Sequence, residues 1–251
     1  MNEAQGPPQG SDLAAAGATW DADASAGEWI APLLGPPGAT LDHAVPRGYE
    51  RYAVVPVPET GEPDGPEPLA WLDALLNVLE PFTGEQAVHC GIWTGWGWMY
   101  DHGDDPVTAR GMAVLVARRG WRGRVSRWAS AVVGRFPAVP DAMARSRPGA
   151  EAEEHLRTVR VERPDAPMLA LPHPEYHLWT GPLRSATAFR QWPHDPPSLI
   201  WPDDRSWFVG IPIYTLEAAV GGSTALVDAV VGDPRLGARR AQPGTVLKMN
   251  D

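Results

Sequence analysis

The side chains in this chain that could do chemistry are histidines, aspartates and tryptophans gathered in a few short strings. WPDDRSW at 201–207 places Asp203, Asp204 and Arg205 between Trp201 and Trp207. Two carboxylates beside a guanidinium suit a local ion network at a strand start. They also suit a seat in which Arg205 takes a ligand carboxylate through two parallel N–H donors. GIWTGWGWMY at 91–100 sets Trp93, Trp96 and Trp98 among Gly91, Gly95 and Gly97. Alternate side chains of a strand point to opposite faces, so Val88, Cys90, Ile92, Thr94, Trp96, Trp98 and Tyr100 form a core side. Trp93 then stands on a face left nearly bare by glycines. Glycine inside a strand often marks close approach of a ligand or another backbone. Trp93 is therefore a candidate platform for a sugar, a base or a peptide. The candidate ligand- or partner-binding residues are Trp93, Trp96, Trp201, Asp203, Asp204, Arg205 and Trp207.

Other polar clusters fall short of a reaction centre. Asp101, His102, Asp104 and Asp105 make a dense turn suited to a hard cation, but without the spacing or the terminal Glu of a calcium loop. His173 and His177 are flanked by Pro172 and Pro174, so they lack the helical geometry of a paired-histidine zinc motif. In an extended segment they lie ~13 Å apart. His194-Asp195 sits among Pro193, Pro196 and Pro197. Ser223 follows Gly221 and Gly222 without a GxSxG signature and reads as a helix N-cap. Cys90 and His89 point to opposite faces of one strand, which rules against a dyad. Lys248 is the single lysine and lies in no glycine-rich loop, which excludes P-loop, Schiff-base and kinase chemistry. No catalytic residue, metal ligand or cofactor is assigned.

The elements that must position these residues read as α+β, a largely antiparallel sheet with a few packed helices. Residues 1–28 read as a disordered tail and 29–251 as a single domain. Strands are expected at 49–57, 87–100, 113–117, 155–162, 175–180 and 206–214. Helices are expected at 67–80, stopped by Pro81, at 124–135, at 183–191 and at 224–231. Pro212 sets its strand at an edge or ends it.

Composition narrows the partners. The formal net charge is -10, and the chain holds one cysteine and twelve tryptophans. Nine arginines from Arg110 to Arg147 make that stretch +8 and leave -18 for the rest. The basic segment folds against the acidic body or forms an anion or partner site. Acidity elsewhere disfavours nucleic acid and anionic lipid. The N-terminus lacks a signal-peptide pattern, no apolar run suits a membrane helix, and one cysteine permits no internal disulfide. The expectation is a cytoplasmic protein whose tryptophans chiefly build its core.

Several strings together resemble an uncharacterised actinobacterial family of Trp-rich proteins: GYERYA near 48, AVHCGIWTGWGW at 87–98, YHLWTGPL at 176–183 and WPDDRSWFVG with VGGS at 201–223. The similarity runs from about residue 30 onward and implies a shared fold without an assigned activity. Family members often carry Glu-Ile-Asp where this chain has Pro212, Ile213 and Tyr214, and His-Pro where it has Val57-Pro58. The segment 110–150 matches least and reads as a variable insertion. The leading expectation is a non-catalytic binding protein, immunity- or inhibitor-like, with another protein as partner. The alternatives are an Asp/His hydrolase using 101–105, 173–177 and 194–195, and a small-ligand or carbohydrate binder built on Trp93.

Overall fold

A computed structural model describes residues 11–58, 67, 69–96, 164–172, 174–190, 195–213 and 215–249. By its internal contacts the chain divides into two units, one of residues 11–95 with 164–251 and one of 1–10 with 96–163. The first unit is the body described below. The end of the expected strand at 87–100, the expected strands at 113–117 and 155–162 and the helix at 124–135 lie outside the described residues, as do the basic insertion and the Asp101–Asp105 turn.

The body is built on one antiparallel sheet. Its strands are β1 (Thr19–Trp20), β2 (Arg51–Pro56), β3 (Val88–Trp93), β4 (Leu169–Ala170), β5 (Glu175–Gly181), β6 (Leu199–Pro202), β7 (Phe208–Gly210), β8 (Glu217–Gly222) and β9 (Arg239–Ala241). The order across the sheet is β1-β5-β3-β6-β7-β8-β2-β9, with β4 also paired to β5. The α+β expectation holds, with helices α1 (Ser11–Ala15), α2 (Leu41–Ala44), α3 (Ala70–Thr83) and α4 (Thr224–Gly232).

Alternation along the strands gives the sheet two apolar faces, and both are covered. Val88, Cys90 and Ile92 are fully buried on one. That face meets α4, where Gly222 packs against Leu226, and the 3-10 turn Leu183–Thr187, where Gly181 packs against Ser185. The other face presents Val54, Ala219, Phe208, Trp201, Leu199 and Leu178. An irregular layer from residues 24–49, with Ile30, Leu41 and Val45 as its buried anchors, closes over it. Gly210 belongs to this contact, since the Ala44 carbonyl takes the space that a Cβ would need.

The differences from the sequence reading have physical reasons. Residues 11–28, expected in the tail, join the body, because β1 pairs with β5 and buries Leu13 and Ala18. Pro81 does not stop α3. The helix runs to Thr83, whose hydroxyl donates to the Leu79 carbonyl at 2.9 Å, and ends at Gly84 with φ 62°. Pro81 falls in the last turn, where one lost N–H costs least against the burial of Leu79 and Thr83. The strand of 206–214 shrinks to β7, which lies between β6 and β8 rather than at an edge. Pro212 follows its end.

Candidate functional site

The WPDDRSW string forms the β6–β7 hairpin. Trp201 ends buried in the sheet, residues 203–206 make an exposed tip, and Trp207 turns back into the core. Arg205 adopts φ 57°, a left-handed conformation uncommon for a residue with a Cβ, and its N–H donates to the Pro202 carbonyl at 2.9 Å. The expected ion network takes another form. The Arg205 guanidinium lies 4.9 Å over the Trp29 ring, a cation–π contact. Asp204 accepts the Ser206 N–H at 2.9 Å, and its own N–H donates to Gln86 Oε1. Burial pushes the Asp204 carboxyl up, but the hydrogen bonds from Ser206 and Gln86 outweigh it and hold the group below its usual range.

The tryptophans of the candidate set are mostly walls. Trp201 is fully buried and stacks between His89, 5.3 Å away, and Phe208, 5.9 Å away, with Trp29 edge-on to it. Trp207 is fully buried, and its indole N–H meets no acceptor among the described residues. Trp93 is half-buried against the core. The bare face expected beside it is filled: Leu178 and Leu199 occupy the space at Gly91, and the Trp93 ring itself covers Gly95. Trp96 opens the second unit and is half-buried.

One polar rung crosses the otherwise apolar face. Asp21, Thr180, His89 and Asp203 come from the end of β1, from β5, from β3 and from the end of β6, the order of those strands in the sheet. The Thr180 hydroxyl donates to Asp21 Oδ1 at 2.7 Å, His89 Nδ1 lies 2.8 Å from the same hydroxyl, and His89 Nε2 lies 2.7 Å from Asp203 Oδ1. His89 is 15% exposed and Asp203 56%. Burial pushes the Asp21 carboxyl above its usual range. The hydroxyl, imidazole and carboxylate resemble a nucleophile, base and orienter. With Asp21 ionised, however, the Thr180 proton goes to Asp21, and His89 is not positioned to withdraw it.

At the opposite end of the same strands the sheet and the irregular layer leave a cavity of about 240 Å³. Leu34, Ala44, Leu171, Leu199, Ile211 and Met249 supply apolar wall. His43, Tyr176, Ser198 and Thr215 supply polar groups. Thr215 is satisfied internally, its hydroxyl meeting the Pro212 and Glu217 carbonyls. Tyr176 is 5% exposed, and its hydroxyl makes no hydrogen bond within the described residues. Burial pushes this phenol well above its ordinary value.

The remaining sequence candidates that are described do not converge on either place. His177 is buried on the helical face, edge-on to Trp20. His173 and His194 lie outside the described residues. Cys90 faces Ser185, and burial pushes its thiol far up, while His89 points the other way. Ser223 caps α4 by accepting the Leu226 N–H. Among the described residues no cluster of three or more His, Cys, Asp or Glu is arranged to hold a metal ion. No helix among them is long and apolar enough to cross a membrane. Sequence reasoning missed Asp21, Thr180 and Tyr176. The signal for Thr180 was the shared register of two strands, which no local pattern carries. No family model, curated protein or solved structure matches this chain.

Proposed function

We propose that this chain is a non-catalytic binding protein whose seat is the cavity between the β5–β6 end of the sheet and the 34–44 segment. The observation that carries the reading is the cavity itself. It is concave, mostly apolar and lined by a few polar groups from separate elements, the usual make-up of a small-molecule site. The cavity favours a small molecule over the protein partner expected from sequence, and it moves the seat away from Trp93 and the 203–207 hairpin.

The test is a thermal-shift screen with fragments of up to about ten non-hydrogen atoms, since a water-sized share of liquid is about 30 Å³. A ligand held at a hundred times its Kd stabilises by about 2.7 kcal/mol, a shift of several degrees. Ile213→Trp and Ala39→Trp each fill the cavity from a different wall, and both are expected to abolish the shifts. Fragments that stabilise both variants as well as the native chain, or a screen without any shift, would refute the seat.

A further inference from the structure

The geometry points to a specific class of ligand for this cavity: a small, uncharged molecule with an apolar body and a single hydrogen-bond acceptor, such as a ketone, lactone or amide, received by the Tyr176 hydroxyl. The inference rests on the binding reading above and goes further by naming what is bound.

Charge comes first. Among the described residues lining the cavity none is Asp, Glu, Lys or Arg. An ion entering it loses its hydration and gains no counter-charge, which is costly. His43 is the one other titratable side chain there, and it is already engaged. A neutral ligand pays no such penalty.

Hydrogen bonding comes second. A phenol is both donor and acceptor, and a buried one normally finds a partner. The Tyr176 hydroxyl has none among the described residues, yet it is not among the sealed polar atoms, so it meets open volume. Tyr176 as a whole is 95% covered, and the open volume that it lines is this cavity. Its raised pKa keeps the proton in place, so at ordinary pH the group offers an O–H. A ligand that supplies a carbonyl oxygen completes it.

Shape comes third. Besides His43, Ser198 and Thr215 the remaining lining is apolar, and most of it is branched aliphatic or proline, among them Leu34, Leu199, Ile211, Pro212 and Ile213. They favour a compact ring or branched chain over a polar, multiply hydroxylated sugar, whose other hydroxyls would be left unpaired.

Three probes of nearly equal size separate these claims: acetophenone, α-methylstyrene, which replaces the carbonyl oxygen by CH₂, and benzoate, which adds a charge. Dissociation constants come from intrinsic tryptophan fluorescence or protein-observed NMR. Acetophenone is expected to bind about three- to tenfold tighter than α-methylstyrene, the value of one neutral hydrogen bond. Benzoate is expected to bind weakest. Tyr176→Phe should erase the advantage of acetophenone while leaving α-methylstyrene binding unchanged, which also shows that the variant is folded. If benzoate binds best, or the two neutral probes bind native protein equally and are both lost in Ile213→Trp, the class is wrong and the seat stands. If no probe binds the native chain and Ile213→Trp changes nothing, the seat fails with it.

Discussion

A neutral imidazole has one N–H, a threonine hydroxyl one O–H, and an ionised carboxylate none. The rung from Asp21 to Asp203 has three short contacts to fill. Two ionised aspartates with neutral His89 and Thr180 supply protons for only two. The third needs one more proton, on His89 or on Asp21. The burial that raises Asp21 makes it a holder of that proton. The sign follows: the folded chain keeps the proton on Asp21 to higher pH than the unfolded chain does. Its contribution to stability is therefore complete below the ordinary carboxylate range and fades as pH rises through the raised value. The gap in melting temperature between native protein and Asp21→Asn should narrow or reverse across that window. Asp23, held low by its hydrogen bonds from Ser25, titrates in both proteins and cancels in the difference. A gap that is constant with pH would count against the proton. Thr180→Val removes the hydroxyl that both neighbours share and should cost about 1–3 kcal/mol in chemical denaturation, with Thr180→Ser recovering most of it. His89 was visible in the sequence as a residue facing away from Cys90. Its pairing with Thr180 and Asp203 was not, because they sit 91 and 114 positions further on.

Elements were legible where their ends carry chemistry. Helix α4 announced itself through Ser223, and the structure adds a second anchor: Glu50 from β2's approach accepts both the Thr224 N–H and its hydroxyl, at 2.8 and 3.0 Å. A carboxylate there also meets the positive end of the helix. Ser223→Ala should destabilise the protein by about 1 kcal/mol, read from the denaturation midpoint. Strands β6 and β8 were missed for a common reason. LIWP and EAAVGG are buried along their whole length between the two covering layers, so they show no alternation to detect. Trp93 misled because an extended strand with glycines looks open from sequence, and only the packed Leu178 and Leu199 reveal that it is filled. The cavity was illegible for a similar reason. Its walls come from segments near residues 34–44, 171–176, 198–215 and 249, and apart from Tyr176 its lining residues lie outside the distinctive strings.

For the molecule as a whole, the division of the chain means that residues 96–163 leave the body after β3 and return before β4. Trp93 pairs with Tyr176, and Leu169 pairs with Tyr176 in turn, so β3 ends and β4 begins at the same end of the sheet, on either side of β5. Replacing 97–163 with a short Gly/Ser linker should leave a body that still unfolds in one cooperative step, followed by circular dichroism. Loss of the cooperative transition would show that the body needs the excised unit. The strand order has a consequence for how the chain is made. β2 pairs only with β8 and β9, and β3 only with β5 and β6, so each early strand lies between late ones. At about 5–20 residues per second, β2 waits on the order of ten seconds on the ribosome before its first neighbour exists. During that interval its apolar run has no sheet to join. The β1-β5-β3-β6 half of the sheet can thus pair once residue 202 is made, whereas β2 joins only after residue 222, and a chain stalled between those points leaves β2 as a natural client for a holding chaperone.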